Sequence, residues 1–159
     1  MKTLHLIRHA KSSWDNPRLS DQHRPLNSRG RKDAVIMAKA LDDVFERWPK
    51  VFCSPATRAR ETITTIAENW AGDAFDWQVV DDLYEFSASN LISWLSTALL
   101  THDELLLVGH NPAFTNLINH LSDADLANFP TCAYAKLTFE DIEAGGGAMA
   151  CFLKPKMFK

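Results

Sequence analysis

Cysteine is scarce: the chain has three, at positions 53, 132 and 151, with no Cys-x-x-Cys pair among them. That scarcity excludes a disulfide framework and the common thiolate zinc spacings. Cys53, Cys132 and Cys151 are expected as small buried hydrophobes in a reducing compartment. Long apolar runs are missing too: none approaches the ~20 residues of a membrane helix. The opening Met1-Lys2-Thr3 passes at once to Arg8, His9 and Lys11, unlike a signal peptide. A cytoplasmic location with no membrane contact is the expectation. No internal repeat and no Pro- or Ser-rich linker divides the chain. A net charge of −3 and a pI near 6.0 leave no large basic face for nucleic acid.

What is present is an ordinary globular composition, 46% hydrophobic and 23% charged over 159 residues. A chain of this length buries roughly 68–70% of its unfolded surface, so one domain spanning residues 1–159 is expected without a structural metal. The mild net charge conceals an asymmetry. Residues 1–60 hold 13 Lys/Arg against 6 Asp/Glu, whereas residues 61–159 hold 4 against 14. A basic leading segment suits an anion site, and an uneven but solvated surface is the plainer explanation.

Strand and helix patterns alternate along the chain. Thr3 to His9 reads as a buried strand. After Asn27 or Ser28 as N-cap, apolar residues at 34, 37, 38, 41, 45 and 48 form one helical stripe that Pro49 ends. Val51-Phe52-Cys53 is a strand running into Ser54-Pro55, whose pairing of an N-capping serine with a first-turn proline predicts a helix start there. A strand over Trp77–Val80 and a helix capped by Ser87 or Ser89 follow. Leu105-Leu106-Leu107-Val108 is apolar on both faces, as in a central strand covered on both sides. Asn111-Pro112 opens another helix. Tyr134–Phe139 and Ala148–Leu153 read as strands joined by the Gly145-Gly146-Gly147 run, which is therefore a flexible turn rather than a phosphate loop. Such alternation predicts a three-layer α/β/α sandwich with a mostly parallel mixed sheet.

Ligands in open α/β sheets gather at the carboxyl ends of strands. Three such ends carry Arg8-His9, Ser54-Pro55-Ala56-Thr57-Arg58 and Gly109-His110-Asn111-Pro112. Two arginines, two histidines and two helix N-termini are the ingredients of a phosphate site. No nearby carboxylate cluster is expected to compete for them. A cation such as Arg58 in a helix's first turn opposes the dipole there, and a bound anion would relieve that. Arg24 and Lys11, in loops after the first strand, are candidates to extend the anion site. Trp14 is the one tryptophan placed to touch a substrate, and His5 is expected to be structural.

Leu6-Ile7-Arg8-His9-Ala10-Lys11, then Asp21 to Leu26 with Gly30, then Ser54 to Ala59 with Thr62, then Val108 to Pro112 together resemble the histidine phosphatase superfamily. The match runs in order over about residues 3–121 and is most similar to the short SixA-type phosphohistidine phosphatases; Ala10 stands where many superfamily members carry glycine. The resemblance implies a phosphoglycerate mutase-like fold. It also implies His9 as a nucleophile that forms a phosphohistidine intermediate, with Arg8, Arg58 and His110 holding the phosphoryl oxygens. No metal or organic cofactor is called for. Glu85, in Asp82-Leu83-Tyr84-Glu85-Phe86, occupies the place where superfamily members carry a leaving-group acid. The expected substrate is a phosphohistidine-containing protein, since little chain remains for a substrate-specific lid. A small phosphate ester is the alternative within enzymes, a sugar-phosphate mutase ranks behind it, and a non-catalytic phosphate-binding module is the alternative outside enzymes.

Overall fold

The computed structural model describes residues 1–159. Its strands are β1 (Lys2–Arg8), β2 (Lys50–Cys53), β3 (Gln78–Val79), β4 (Glu104–Gly109), β5 (Tyr134–Phe139) and β6 (Ala148–Leu153). Its helices are α1 (Ser28–Ala40), α2 (Thr57–Asn69), α3 (Ala88–Ala98) and α4 (Ala113–Leu121). The strands form one six-stranded sheet in the order β3-β2-β4-β1-β5-β6. The first four in sequence pair in parallel, and β5 and β6 add an antiparallel edge.

Residues Leu105 to Val108 are wholly buried, and successive side chains go to opposite faces. Leu105 and Leu107 join the core beneath α3 and α4, with Leu91, Leu95, Leu117 and Ile118. Leu106 and Val108 join the core beneath α1 and α2, with Met37, Ile63 and Ile66. The three-layer α/β/α sandwich expected from the alternation is therefore the observed architecture, with β4 and β1 at its centre. Truncating Leu107 to alanine would open a void in the inner layer, at a cost of about 2–5 kcal/mol.

Several boundaries differ from the sequence expectation for local reasons. The stripe over residues 34–48 is not one helix: α1 stops at Ala40, a 3-10 turn covers Leu41–Asp43, and Phe45 and Trp48 reach the core from irregular backbone. Asp42 and Asp43 lie where the negative end of the helix dipole disfavours carboxylates. Helix α2 begins at Thr57 rather than at Ser54-Pro55: Ala56 has a non-helical ψ of 137°, so the Ser54 hydroxyl, which accepts from the Ala56 N–H and meets His110, closes a turn ahead of the helix. Ser87 sits at the N-cap of α3 but its hydroxyl bonds to Ser89 Oγ rather than capping an amide; the Glu85 carboxylate takes the Phe86 and Ser87 amides instead. Asn27 caps α1 as expected, accepting from the Gly30 N–H at 2.8 Å. Cys53 and Cys132 are buried, whereas Cys151 is only half-buried.

Gly30 has a steric reason to be glycine. A Cβ there would lie 2.2 Å from the Lys11 carbonyl oxygen, so its absence lets α1 press against the chain that leaves β1. Gly145 and Gly146, at φ of 70° and 73°, make the β5–β6 turn expected of the glycine run.

Candidate active site

Strand β1 ends at Arg8, and the next residue, His9, is pinned from β4 and from the turn that leads into β5. Its N–H donates to Gly109 O at 3.0 Å, and the Cys132 N–H donates to the Arg8 and His9 carbonyls. Cys132 adopts a φ of 59°, a left-handed conformation that points this one amide at both. The Ala10 N–H donates to Thr62 Oγ1 at 2.9 Å, tying the loop to α2.

The His9 ring donates from Nδ1 to Ala10 O at 2.7 Å. Its Nε2 lone pair faces Arg58, whose Nε–H lies 3.4 Å away. Burial, opposed by the Ala10 bond and reinforced by the charges of Arg58, Arg8 and Arg24, lowers the His9 pKa to about 3. The ring is therefore neutral across the physiological range, with its basic nitrogen pointed into a cationic cavity. A nucleophile needs that state.

Arg58 is 2% exposed in the first turn of α2. Arg8 donates from Nη1 to Phe129 O at 3.0 Å, while its Nε–H is buried without a partner. A buried cationic N–H with no protein partner, on a residue that lines the same cavity as His9, suits an anionic ligand. His110 lies beside His9, with ring centroids 5.2 Å apart. Its Nδ1 faces Arg58 Nη2 at 3.5 Å, so the proton sits on Nε2 and is donated to Ser54 Oγ at 2.8 Å. Burial comes first, then the proximity of His9, which disfavours charging both rings together, and the charge of Arg58; these lower its pKa to about 3 as well.

The cavity, of about 290 Å³, is lined by Arg8, His9, Lys11, Arg24, Arg58 and Trp14 among others. The structure thus brings together Arg8, His9, Arg58 and His110, and it places Arg24 and Lys11 on the same wall. Arg24 is buried and bonded to Ser12 Oγ at 2.6 Å, with the exposed Trp14 ring stacked 3.5 Å over its guanidinium.

Two expectations do not hold. A carboxylate does compete for the arginines: Asp21 Oδ2 lies 2.9 Å from Arg58 Nη2, and its Oδ1 accepts from Arg24. Burial alone pushes this carboxyl up, but hydrogen bonds from Tyr84, Arg58 and Arg24 outweigh it and hold the pKa at about 2. Asp21 thereby relieves the dipole conflict that Arg58 creates at the start of α2. Glu85 is the second case. Its Oε2 accepts from the Phe86 and Ser87 N–H groups, both at 2.9 Å, and it lines a neighbouring hollow with Asp82 and Asn90 rather than the one holding His9. Tyr84 closes the 3-10 turn Asp81–Leu83 with φ −76° and ψ 74°, and the chain bends there. The Tyr84 and Phe86 rings face His110, at ring separations of 5.4 and 4.9 Å, while the Glu85 carboxylate is held by the Phe86 and Ser87 amides. Sequence reasoning missed Asp21, Tyr84, Phe86 and Ser54 as parts of the site. Asp21 and Ser54 stood inside recognised motifs, and the Tyr-Glu-Phe alternation was the available signal for the other two.

No group of three or more His, Cys, Asp or Glu side chains is disposed to hold a metal. No helix is long and apolar enough to cross a membrane.

The sequence matches the family model for the histidine phosphatase superfamily, branch 1, over residues 4–93. An uncharacterized chloroplastic protein of Arabidopsis thaliana is 30% identical over 151 residues, covering 86% of this chain and 66% of the relative, so the chain spans just under two thirds of that protein. A solved chain from Agrobacterium tumefaciens, assigned as a phosphohistidine phosphatase SixA, is 28% identical, with TM-score 0.81 and coverage of 97% and 98%. The protein histidine phosphatase SixA complexed with tungstate has the same fold, with TM-score 0.80 at 23% identity and 99% coverage of both chains. The chain belongs to the histidine phosphatase superfamily, branch 1.

Proposed function

We propose that this phosphatase removes the phosphoryl group from phosphohistidine in a protein, through a covalent intermediate on His9. The His9 Nε2 lone pair attacks phosphorus, and the P–N bond of the substrate breaks. The substrate ring, protonated on its other nitrogen, leaves as neutral imidazole and keeps the P–N bonding pair as its lone pair. Arg8, through its free Nε–H, and Arg58 hold the phosphoryl oxygens, with His110 beside them and Arg24 and Lys11 on the wall. The Nδ1–H bond to Ala10 O stabilises the positive charge that the His9 ring gains on phosphorylation. A water then attacks phosphorus, phosphate leaves, and Nε2 recovers its lone pair. No metal or organic cofactor enters these steps.

The observation that carries the substrate class is the ionisation of the one carboxylate in the cavity. Asp21, held at about 2, has no proton to give, and Glu85 is bonded elsewhere. An alkoxide leaving group needs an acid; an imidazole, with a pKa of about 6.5, departs with far less help. The kinship with SixA phosphatases points the same way.

The test sets purified protein against a phosphohistidine-containing protein and a panel of phosphate monoesters, for wild type and His9→Ala. Faster turnover of the phosphohistidine, lost in His9→Ala, is expected. Preference for an ester would replace the substrate class, undiminished turnover by His9→Ala would remove the nucleophile, and no turnover at all would favour a binding module.

A further inference from the structure

The catalytic cavity adjoins a second hollow of about 400 Å³ formed by α1, the loop after Phe129 and the chain following β6. Thr131 lines both. The second hollow carries Arg29, Lys154, Lys156 and Lys159 around one carboxylate, Asp33. Asp33 is buried and anchors the terminal 3-10 turn Pro155–Phe158 onto α1 as an ion pair with Lys159 Nζ at 2.9 Å, with Arg29 Nε at 3.7 Å. Lys154, Lys156 and Lys11 form no ion pair.

Charge is concentrated here far beyond its share. Eight of the 17 Lys/Arg but only two of the 20 Asp/Glu line these two hollows. Three of the four basic residues after position 60 fall in this one groove. A field of one sign over adjoining concave surfaces attracts and orients an anionic partner.

We propose that the surface running from the catalytic cavity across Thr131 to Arg29, Lys154 and Lys156 docks an acidic segment of the phosphoprotein substrate. This rests on the phosphohistidine reading above. The occupant must be extended, because it spans two hollows joined over the Thr131 ridge. It must also be short, because the remaining surface holds most of the acidic residues and repels a long polyanion. Exposed Met157 and Phe158 on the turn that carries Lys156 add apolar contact that a peptide can use and a phosphodiester backbone cannot.

Two synthetic peptides of equal length, each with a single phosphohistidine, test it. One flanks that residue with glutamates and the other with glutamines. Wild type should favour the glutamate peptide about tenfold in kcat/KM, through KM rather than kcat. The preference should vanish in Lys154→Gln/Lys156→Gln and on raising salt from about 0.05 to about 0.5 M. Hydrolysis of free phosphohistidine should be unchanged in that variant. Equal turnover of both peptides overturns the docking surface and leaves the phosphohistidine reading standing. Hydrolysis of esters but of neither peptide overturns that reading and the docking role with it. Stronger competition by a short single-stranded oligonucleotide than by the unphosphorylated glutamate peptide overturns the choice of partner.

Discussion

The two ends of the sheet carry hollows of opposite character. At the amino ends of β2 and β4, a space of about 820 Å³ opens among Trp48, Trp70 and Phe75, rimmed by Glu46, Asp73 and Glu104. At the carboxyl ends, the hollow holding His9 is about 290 Å³. The larger one is lined by stacked rings, Trp48 and Phe75 lying 4.0 Å apart, and its carboxylates repel phosphate. The smaller one has four cations and helix N-termini. Volume does not mark the site; convergent donors do.

Two histidines near β1 make the same point at the level of single residues. His5 and His9 are both buried, and burial lowers the pKa of each. Both nitrogens of His5 are occupied, by the Tyr134 hydroxyl at 2.6 Å and Glu104 at 2.7 Å. His9 commits only Nδ1 to the backbone, and its Nε2 meets nothing but the long 3.4 Å contact from Arg58 Nε in the cavity. One ring is spent on structure and the other is available for chemistry.

Exchanging each for alanine gives the largest contrast. His9→Ala should lower kcat by at least about 10³-fold, because it removes the proposed nucleophile outright. His5→Ala should leave kcat nearly unchanged but cost about 1–3 kcal/mol in denaturant unfolding, since the Tyr134 hydroxyl is left buried without its partner. A large catalytic loss in His5→Ala would erase the distinction between them.

Acid provides a second way to sharpen it. With folded pKa values of about 3 against about 6.5 unfolded, His9 and His110 are neutral in the native state and take up protons on unfolding between those limits. Stability is then full above pH 6.5 and falls as the pH drops toward 3, by up to about 1.4 kcal/mol per pH unit for each histidine. Thermal unfolding at pH 7 and pH 5 measures this, and inorganic phosphate, which favours the charged rings, should flatten the slope. A melting temperature independent of pH over that interval contradicts it.

Much of this architecture was readable beforehand. Leu105 to Val108 announced a central strand because a run that is apolar on both faces has no other soluble home. Arg8, His9, Arg58 and His110 were legible because each follows a strand, where topology brings chain ends together. Asp21 was hidden because its partner Arg58 lies 37 positions away, and only the fold shows that a loop carboxylate reaches the first turn of α2. Glu85 was placed in the site because motif position says nothing about which way the side chain leaves the bend at Tyr84. The end of α1 was missed because a 3-10 turn and irregular chain kept Phe45 and Trp48 in phase with the helical stripe.

Asp21→Asn probes the hidden carboxylate with a smaller effect. The amide keeps an acceptor for Arg24 or Tyr84 but gives up the charge that fixes Arg58, and Arg58 Nη1 still holds the Asp21 carbonyl at 2.6 Å. Turnover should fall about tenfold, while phosphate inhibits at least as well, because one negative charge has left the cavity. Weaker phosphate inhibition would mean that Asp21 serves binding rather than alignment.

Glu85→Gln should change least. The glutamine side-chain oxygen can still accept from the Phe86 and Ser87 amides, so α3 keeps its lead-in, and losing the charge near that helix start costs a few tenths of a kcal/mol. Turnover of phosphohistidine and of esters should both stay within about threefold of wild type, measured side by side. A selective loss on esters would show that the 84–86 stretch turns over when an ester binds, delivering Glu85 in place of Phe86. The inert carboxylate and the catalytic hollow would then be two states of one segment rather than two neighbours.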